Sequence, residues 1–332
     1  MVRKMNYRQL GKTGWRVSEV SLGTWQLGGG WGASFNRSSA EKTIHAAIDA
    51  GVNFIDTADV YSDGLSEAVV GSVVKERKEQ VFVATKCGRR IHPHVNSGYT
   101  LERLRGFVED SLKNMQTETI DLIQLHCPPT EVYYRPEIFG LFDDLKTEGK
   151  IRNLGVSVEK VEEAIKAIEY PNVTAVQIIF NMFRQRPSEL FFKLAKERNI
   201  GIIVRVPLAS GLLSGKFTRQ TAFGEHDHRF FNREGAAFDK GETFSGIDYE
   251  TGLEAVEELK QIFASNAPLA QLAIRWILMF PEVSVVIPGA STYNQALDNV
   301  KSSDLPPLSA AQMQAVKKIY DDKIKPLAHH LW

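Results

Sequence analysis

Eight short apolar runs alternate with helix-like segments along this chain, and that rhythm limits the fold more than any other feature. The runs are Val20–Leu22, Asn53–Ile55, Val81–Ala84, Ile120–Leu125, Asn153–Val156, Ala175–Phe180, Gly201–Val206 and Val283–Ile287. Runs this short and this apolar read as strands buried on both faces. Between them, Ser39 to Ala50 places Ile44, Ala47 and Ile48 on one face and stops at Gly51. Leu101, Leu104, Val108, Leu112 and Met115 recur at helical spacing. Ile138 to Lys146, the stripe Val161, Ile165 and Ile168, the stripe from Leu190 to Ala195, and Leu269 to Phe280 continue the pattern. Strict alternation predicts an α/β fold, an eight-fold parallel (β/α)8 TIM barrel. A doubly wound sheet is the runner-up, but it wants a glycine-rich turn running straight into a helix after its first strand. Gly28-Gly29-Gly30-Trp31-Gly32 lies in a long polar connection with no helix start directly behind it. Two pieces fall outside the rhythm. Met5 to Val17 reads as an N-terminal hairpin, and Phe217 to Ser245 reads as a long lid or binding loop after the seventh strand. No linker divides residues 1–332, so one domain is expected.

Composition narrows the function classes. Lys plus Arg and Asp plus Glu balance at 40 each, which argues against a polyanion-binding surface and a nucleic-acid partner. No apolar stretch is long enough to cross a membrane, and the opening Met-Val-Arg-Lys-Met-Asn-Tyr is not a signal segment. The two cysteines, Cys87 and Cys127, suggest neither a disulfide framework nor a zinc cluster. A cytoplasmic protein is expected. The number of subunits is not legible.

The informative polar residues stand at or just past strand ends. Asp56 and Tyr61 follow the second run, Lys86 the third and His126 the fourth. In a parallel barrel this is the face that carries active sites. A lone Lys or Asp on such a rim is ordinarily a solvated or structural pair, and a lone His ordinarily a satisfied core residue. Their convergence is different. A phenol is a weak acid with a reference pKa of about 10, and a neighbouring ammonium favours its ionised form. Lys86 is expected to supply that charge, Asp56 to pair with Lys86, and His126 to bond or orient a substrate oxygen. Tyr61 then suits a general acid for carbonyl reduction.

At these residues the chain resembles the aldo-keto reductases, and within them the bacterial stress- and inositol-operon-associated members. Asp56-Thr57-Ala58-Asp59-Val60-Tyr61 is similar to the family's Asp-Thr-Ala-x-x-Tyr signature. Ala84-Thr85-Lys86, Asp121 to His126, Gly149 to Ser157, Pro207 to Lys216 and Ile287 to Ala290 are similar to further family blocks, in family order. The resemblance implies a barrel, a nicotinamide cofactor bound without a Rossmann loop, and Asp56, Tyr61, Lys86 and His126 as the catalytic group. It implies that Gly23, Thr24 and Trp25 lie beside the cofactor, with Asp56 also touching it. Ser157 and Gln177 would hold the nicotinamide amide. Pro207, Leu208, Ser210, Gly211, Leu213 and Lys216 would wrap the pyrophosphate, and Gly289, Ser291, Gln295 and Asn299 would hold the adenosine end. Two departures stand out: Val158 replaces a usual Asn, and Arg205 falls where many members stack an aromatic ring on the nicotinamide. The expected cofactor is NADP(H), with NAD(H) also used, because no Lys or Arg occurs from Ile287 to Gln295. The expected partner is a small carbonyl or alcohol. Trp25, Trp31, Phe35, Tyr133, Tyr134, Phe217, Phe230 and Phe231 are candidates for the pocket wall. Cys87 and Cys127, each following a polar strand-end residue, are read as packing groups near the pocket. Two rivals are a metal-dependent hydrolase built on His92, His94, His126 and Cys127, and a cofactor-binding regulatory module with little turnover.

Overall fold

The computed structural model describes residues 5–29, 34–263 and 267–332. Two antiparallel strands, Tyr7–Gln9 (β1) and Arg16–Ser18 (β2), form the N-terminal hairpin. Eight parallel strands follow: Leu22–Gly23 (β3), Phe54–Asp56 (β4), Phe82–Cys87 (β5), Ile120–His126 (β6), Ile151–Ser157 (β7), Val173–Ile179 (β8), Gly201–Arg205 (β9) and Val283–Val286 (β10). Each pairs with its neighbour in chain order. Parallel bridges from Val20 to Val286 and from Gly23 to Gly289 join the two edges and close the barrel. At that seam a Cβ on Gly23 would lie 2.7 Å from the Ile287 carbonyl oxygen, so only glycine permits the closure.

The strands are buried on both faces because they divide two cores. Phe54, Phe82, Ala84, Leu122, Ala175, Ile203 and Val285 fill the barrel interior, while outward residues such as Ile55, Ile123 and Leu125 pack under the helices. The hairpin plugs the interior at the amino ends of the strands. Leu10 and Val17 are fully buried there, Trp15 stacks on Phe82 at 4.5 Å, and the Lys12 N–H donates to the Asn199 carbonyl at 2.8 Å. The opposite end stays open for the polar strand ends.

The helices follow apolar stripes. Arg37–Asp49 (α1) begins where Asn36 Oδ1 accepts the Ser39 N–H at 2.9 Å. Leu101–Met115 (α3) is capped by Thr100 and buries Leu104, Val108, Ser111 and Met115, while Leu101 faces solvent. Between them, Leu65–Glu76 (α2) forms where the sequence offers no clear stripe. Its β-branched Val69, Val70 and Val73 favour strand locally, but together they cover the barrel. The segment from Phe217 to Ser245 is not structureless. It contains short helical turns at His228–Phe231 and Lys240–Glu242, with a third over Phe244–Gly246. Trp332 anchors it: its Nε1 donates to Asp239 at 2.8 Å, and its ring lies 4.4 Å from the Arg184 guanidinium. Gly30, Trp31 and Gly32 lie outside the described residues. Among the described residues, no helix is long and apolar enough to cross a membrane.

Candidate active site

Strand register gathers the polar groups. His126 pairs with Ser157, and Ser157 with Gln177, across β6, β7 and β8. Gly23 pairs with Asp56 across β3 and β4. At the centre, Lys86 Nζ donates to Asp56 Oδ1 at 2.5 Å, to the Thr57 carbonyl at 2.8 Å and to the Tyr61 hydroxyl at 3.1 Å. The second Asp56 oxygen accepts from Gln124 at 3.1 Å and Gln177 at 2.7 Å. The His126 ring meets Tyr61 edge to face at 6.0 Å. Thr24 fixes the Asp56 turn, accepting from Ser66 at 2.8 Å while donating to the Asp56 carbonyl at 3.0 Å.

Burial sets the protonation states. It pulls the Lys86 ammonium down, but Asp56 and Tyr61 outweigh it and the net value rises, so Lys86 stays charged. Burial drives His126 well below its ordinary value, aided by Lys86, Arg89 and Arg205, so the ring is neutral. Its Nδ1 is buried and has no hydrogen-bond partner among the described residues. A proton there would be an orphaned donor, which places the ring proton on Nε2. Tyr61 departs from the sequence expectation. Burial pushes the phenol up, Lys86 pulls it back, and burial wins. The hydroxyl keeps its proton at neutral pH, the form an acid requires.

These groups open into a cleft of about 830 Å3. Gly23, Thr24, Trp25, Asp56, Ser157, Gln177, Arg205, Pro207, Leu208, Ser210, Gly211, Lys216, Gly289, Gln295 and Asn299 line it, together with Tyr61 and His126. Leu213 and Ser291 do not. Leu213 is fully buried in the outer core, and Ser291 bonds through N and Oγ to Gln295 Oε1 at 2.8 and 2.9 Å. Of the expected wall residues, Trp25 and Phe217 line the cleft; Tyr133 is a core residue, and Tyr134 and Phe230 face solvent. Phe35, half-buried against the outer core, and the exposed Phe231 also lie off the lining, and Trp31 is outside the described residues. Sequence reading missed Gln124, Arg89, His228, Phe238 and Glu242. Only Gln124 left a signal, a polar side chain at an inward position two residues before His126.

Arg205 is not a free stacking surface. It meets Glu159 at 2.9 Å and Glu242 at 3.5 Å. Burial works against both carboxyls; Arg205 holds Glu159 below the usual range, and Glu242, beside that carboxylate, is pushed up. The ligand atoms of Cys127, Glu159 and Glu242 lie within 4.8 Å of one another, but two arginines already face this trio. His94 bonds to the Tyr99 hydroxyl at 2.8 Å, and His92 lines a separate surface groove beside α3, so the histidine pair does not reach His126. Cys87 and Cys127 are buried and off the cleft lining.

The cleft fits the dinucleotide that the resemblance implies. After β9, Ala209, Ser210, Gly211 and Gly215 have φ of 47°, 56°, 98° and 71°. Left-handed residues in succession turn backbone N–H groups toward one point, a cradle for phosphate oxygens, and Lys216 adds a cation beside it. A Cβ on Gly211 would strike the Phe217 ring at 2.8 Å. At Gly289 a Cβ would meet only the Gln26 amide oxygen, at 3.6 Å, and Gln295 and Asn299 reach the cleft from helix Tyr293–Val300.

Comparisons with known proteins point to one family. The profile described as the Aldo/keto reductase family matches residues 19–321. The chain is 32% identical over 296 residues to aldo-keto reductase YhdN of Bacillus subtilis, covering 86% of this chain and 85% of that protein. It is 28% identical over 318 residues to the NADH-specific methylglyoxal reductase of Escherichia coli, covering 89% and 93%. The solved glycerol dehydrogenase AKR11B4 of Gluconobacter oxydans superposes with a TM-score of 0.76 at 29% identity, covering 96% of each chain.

Proposed function

The chain belongs to the aldo/keto reductase family, and from that premise we propose that it reduces a small aldehyde or ketone to an alcohol, or runs the reverse, with Tyr61 as the acid and base. Its family's enzymes are oxidoreductases that use NAD(P)H. The observation that carries the reading is the Tyr61 hydroxyl 3.1 Å from a charged Lys86 whose other bonds go to Asp56 and Thr57. When bound, the reduced nicotinamide supplies hydride.

The chain's own residues do the rest. Tyr61 gives its proton to the carbonyl oxygen as that oxygen gains negative charge. Lys86 stabilises the phenolate left behind, and Asp56 holds Lys86 in place. His126, neutral, donates from Nε2 to the same oxygen and favours its developing charge. Asp56 is anchored by Gln124 and Gln177, so the group is rigid before substrate arrives. Ser157 and Gln177 line the nicotinamide end, Pro207, Leu208, Ser210, Gly211 and Lys216 the pyrophosphate, and Gly289, Gln295 and Asn299 the adenosine. Arg205 contributes through its ion pairs instead of by stacking alone. We read residues 1–332 as one domain, and two buried free thiols fit a reducing cytoplasm.

NADP(H) is the preferred cofactor, bound less tightly than by relatives with a basic residue after the eighth barrel strand, and NAD(H) is also used. Ser291, Thr292 and Gln295 offer neutral donors there, and no carboxylate occurs before Asp298. The test is a panel of aldehydes, ketones and alcohols with both cofactors, followed by the near-ultraviolet absorbance of the reduced nicotinamide. Turnover is expected with both and tighter binding with NADPH. Tight NADPH binding without turnover of any carbonyl would favour a regulatory cofactor-binding module.

A further inference from the structure

The substrate end of the cleft carries chemistry that proton transfer does not use. Arg89 follows β5, Glu159 follows β7, and Glu242 stands on the long loop after β9. Arg205 is committed to its neighbours, with Glu159 at 2.9 Å and the Val158 carbonyl at 3.1 Å. Arg89 is not. Its nitrogens make only long ion-pair contacts, 3.6 Å to Glu159 and 3.6 Å to Glu242, beyond hydrogen-bond reach. Among the described residues its guanidinium makes no hydrogen bond, although its side chain is only 21% exposed. Guanidinium carries five N–H donors, and a largely buried one with its donors unspent calls for an oxygen partner. The fork opens on the chamber that holds Tyr61 and His126. Phe238 lies 5.9 Å from the guanidinium and 6.1 Å from Trp25, and Trp25 lies 6.4 Å from Tyr61.

We propose that Arg89, with Glu242, is a specificity determinant that selects carbonyl substrates bearing a hydroxyl close to the reacting carbon. The inference rests on the carbonyl-reduction reading and deepens it. A hydroxyl both accepts and donates, so one group can take an N–H from Arg89 and give its O–H to the Glu242 carboxyl. Trp25 and Phe238 offer apolar faces to the C–H side of such a molecule. A plain alkyl chain would leave the guanidinium donors unspent. A carboxylate guest would bring a third acid against Glu159 and Glu242, and Arg89, already the long-range partner of both, would have to oppose all three. The pocket therefore suits neutral hydroxyaldehydes and hydroxyketones over both.

The experiment compares kcat/KM for glyceraldehyde and propanal, which have the same carbon count, in wild type, Arg89→Met and Arg89→Lys. Wild type is expected to favour glyceraldehyde by at least about ten-fold, the scale of a charged hydrogen bond to a substrate hydroxyl. The ratio should fall to about one in Arg89→Met and be partly kept in Arg89→Lys, which retains the charge but not the fork. Should NADPH fluorescence titration show either arginine variant to be misfolded, Glu242→Gln carries the same comparison, with a reduced ratio expected. A wild-type ratio near one, an unchanged ratio in Arg89→Met, or a preference for glyoxylate over glycolaldehyde overturns the inference while leaving carbonyl reduction intact. Failure of wild type to reduce any aldehyde overturns carbonyl reduction, and this inference with it.

Discussion

Replacing Lys86 with Met keeps most of the side-chain volume and removes one buried charge. Lys86 is 1% exposed, and its ammonium bridges Asp56, Thr57 and Tyr61. Without it the Asp56 carboxylate keeps only the Gln124 and Gln177 amides, and the Thr57 carbonyl loses its donor. Breaking a buried pair by deleting one member costs about 3–5 kcal/mol; the two amides offset part of that, which leaves roughly 3 kcal/mol. For a chain of this size that corresponds to a Tm lower by about 4 °C. The catalytic loss is separate. A full charge on Tyr61 at 3.1 Å from Lys86 interacts by about 5 kcal/mol at an effective dielectric of about 20. Half of that charge developed in the transition state gives roughly 2.7 kcal/mol, or a hundred-fold in rate. The assays are calorimetry and single-turnover reduction with prebound NADPH. A folded Lys86→Met protein that reduces carbonyls within about three-fold of wild type would refute the charge argument, whatever its Tm.

Three further substitutions test other parts of the account. Asp59 is 1% exposed, no side chain among the described residues bonds its carboxyl oxygens, and burial, with the Glu67 carboxylate, pushes its pKa up to about 7. The folded carboxyl then holds its proton more tightly than the unfolded one, so stability is present at acid pH and falls as pH climbs from about 4 to about 7, by at most ~4 kcal/mol. Asp59→Asn should flatten the fall in Tm between pH 5 and pH 8, and parallel curves for the two proteins would count against it. Gly71→Ala gains about 1 kcal/mol of helix propensity in α2, but its Cβ would lie 2.2 Å from the Met115 carbonyl oxygen. Overpacking of about 1–3 kcal/mol or more should win, and a raised Tm would show that α2 and α3 separate freely. Ser291→Arg should tighten NADPH binding, measured by fluorescence titration, by about 1–3 kcal/mol; unchanged affinity would place the ribose phosphate elsewhere.

The barrel was legible because its strands are the unusual ones, apolar on both faces and closed by a polar residue. The same logic exposed Asp56, Lys86 and His126, since a charge at the end of a buried strand has little reason to be there unless it is used. Tyr61 was legible by its place five residues past Asp56 and by the charge expected from Lys86, and it stands on a short turn beyond β4. Helix α2 was hidden because four β-branched valines outvote a helical stripe locally, and only packing against the barrel decides between them. Side-chain direction was equally hidden. Leu213 sits beside the cleft residue Ser214 in sequence but points into the core, because a turn inverts what adjacency suggests. Arg89, Phe238 and Glu242 reach the cleft from loops without periodicity. The Trp332 contact with Asp239 joins residues 93 apart, which no local pattern reports.

The most direct measurement is the single-turnover rate of carbonyl reduction by Tyr61→Phe with saturating NADPH, beside the NADPH affinity of the same protein. The change deletes one hydroxyl and leaves the ring against Trp25 and His126. The account predicts a rate at least about a hundred-fold lower, the usual scale of general acid catalysis, with little change in cofactor affinity. A rate within a few-fold of wild type would mean that another group gives the proton, and would contradict the central claim.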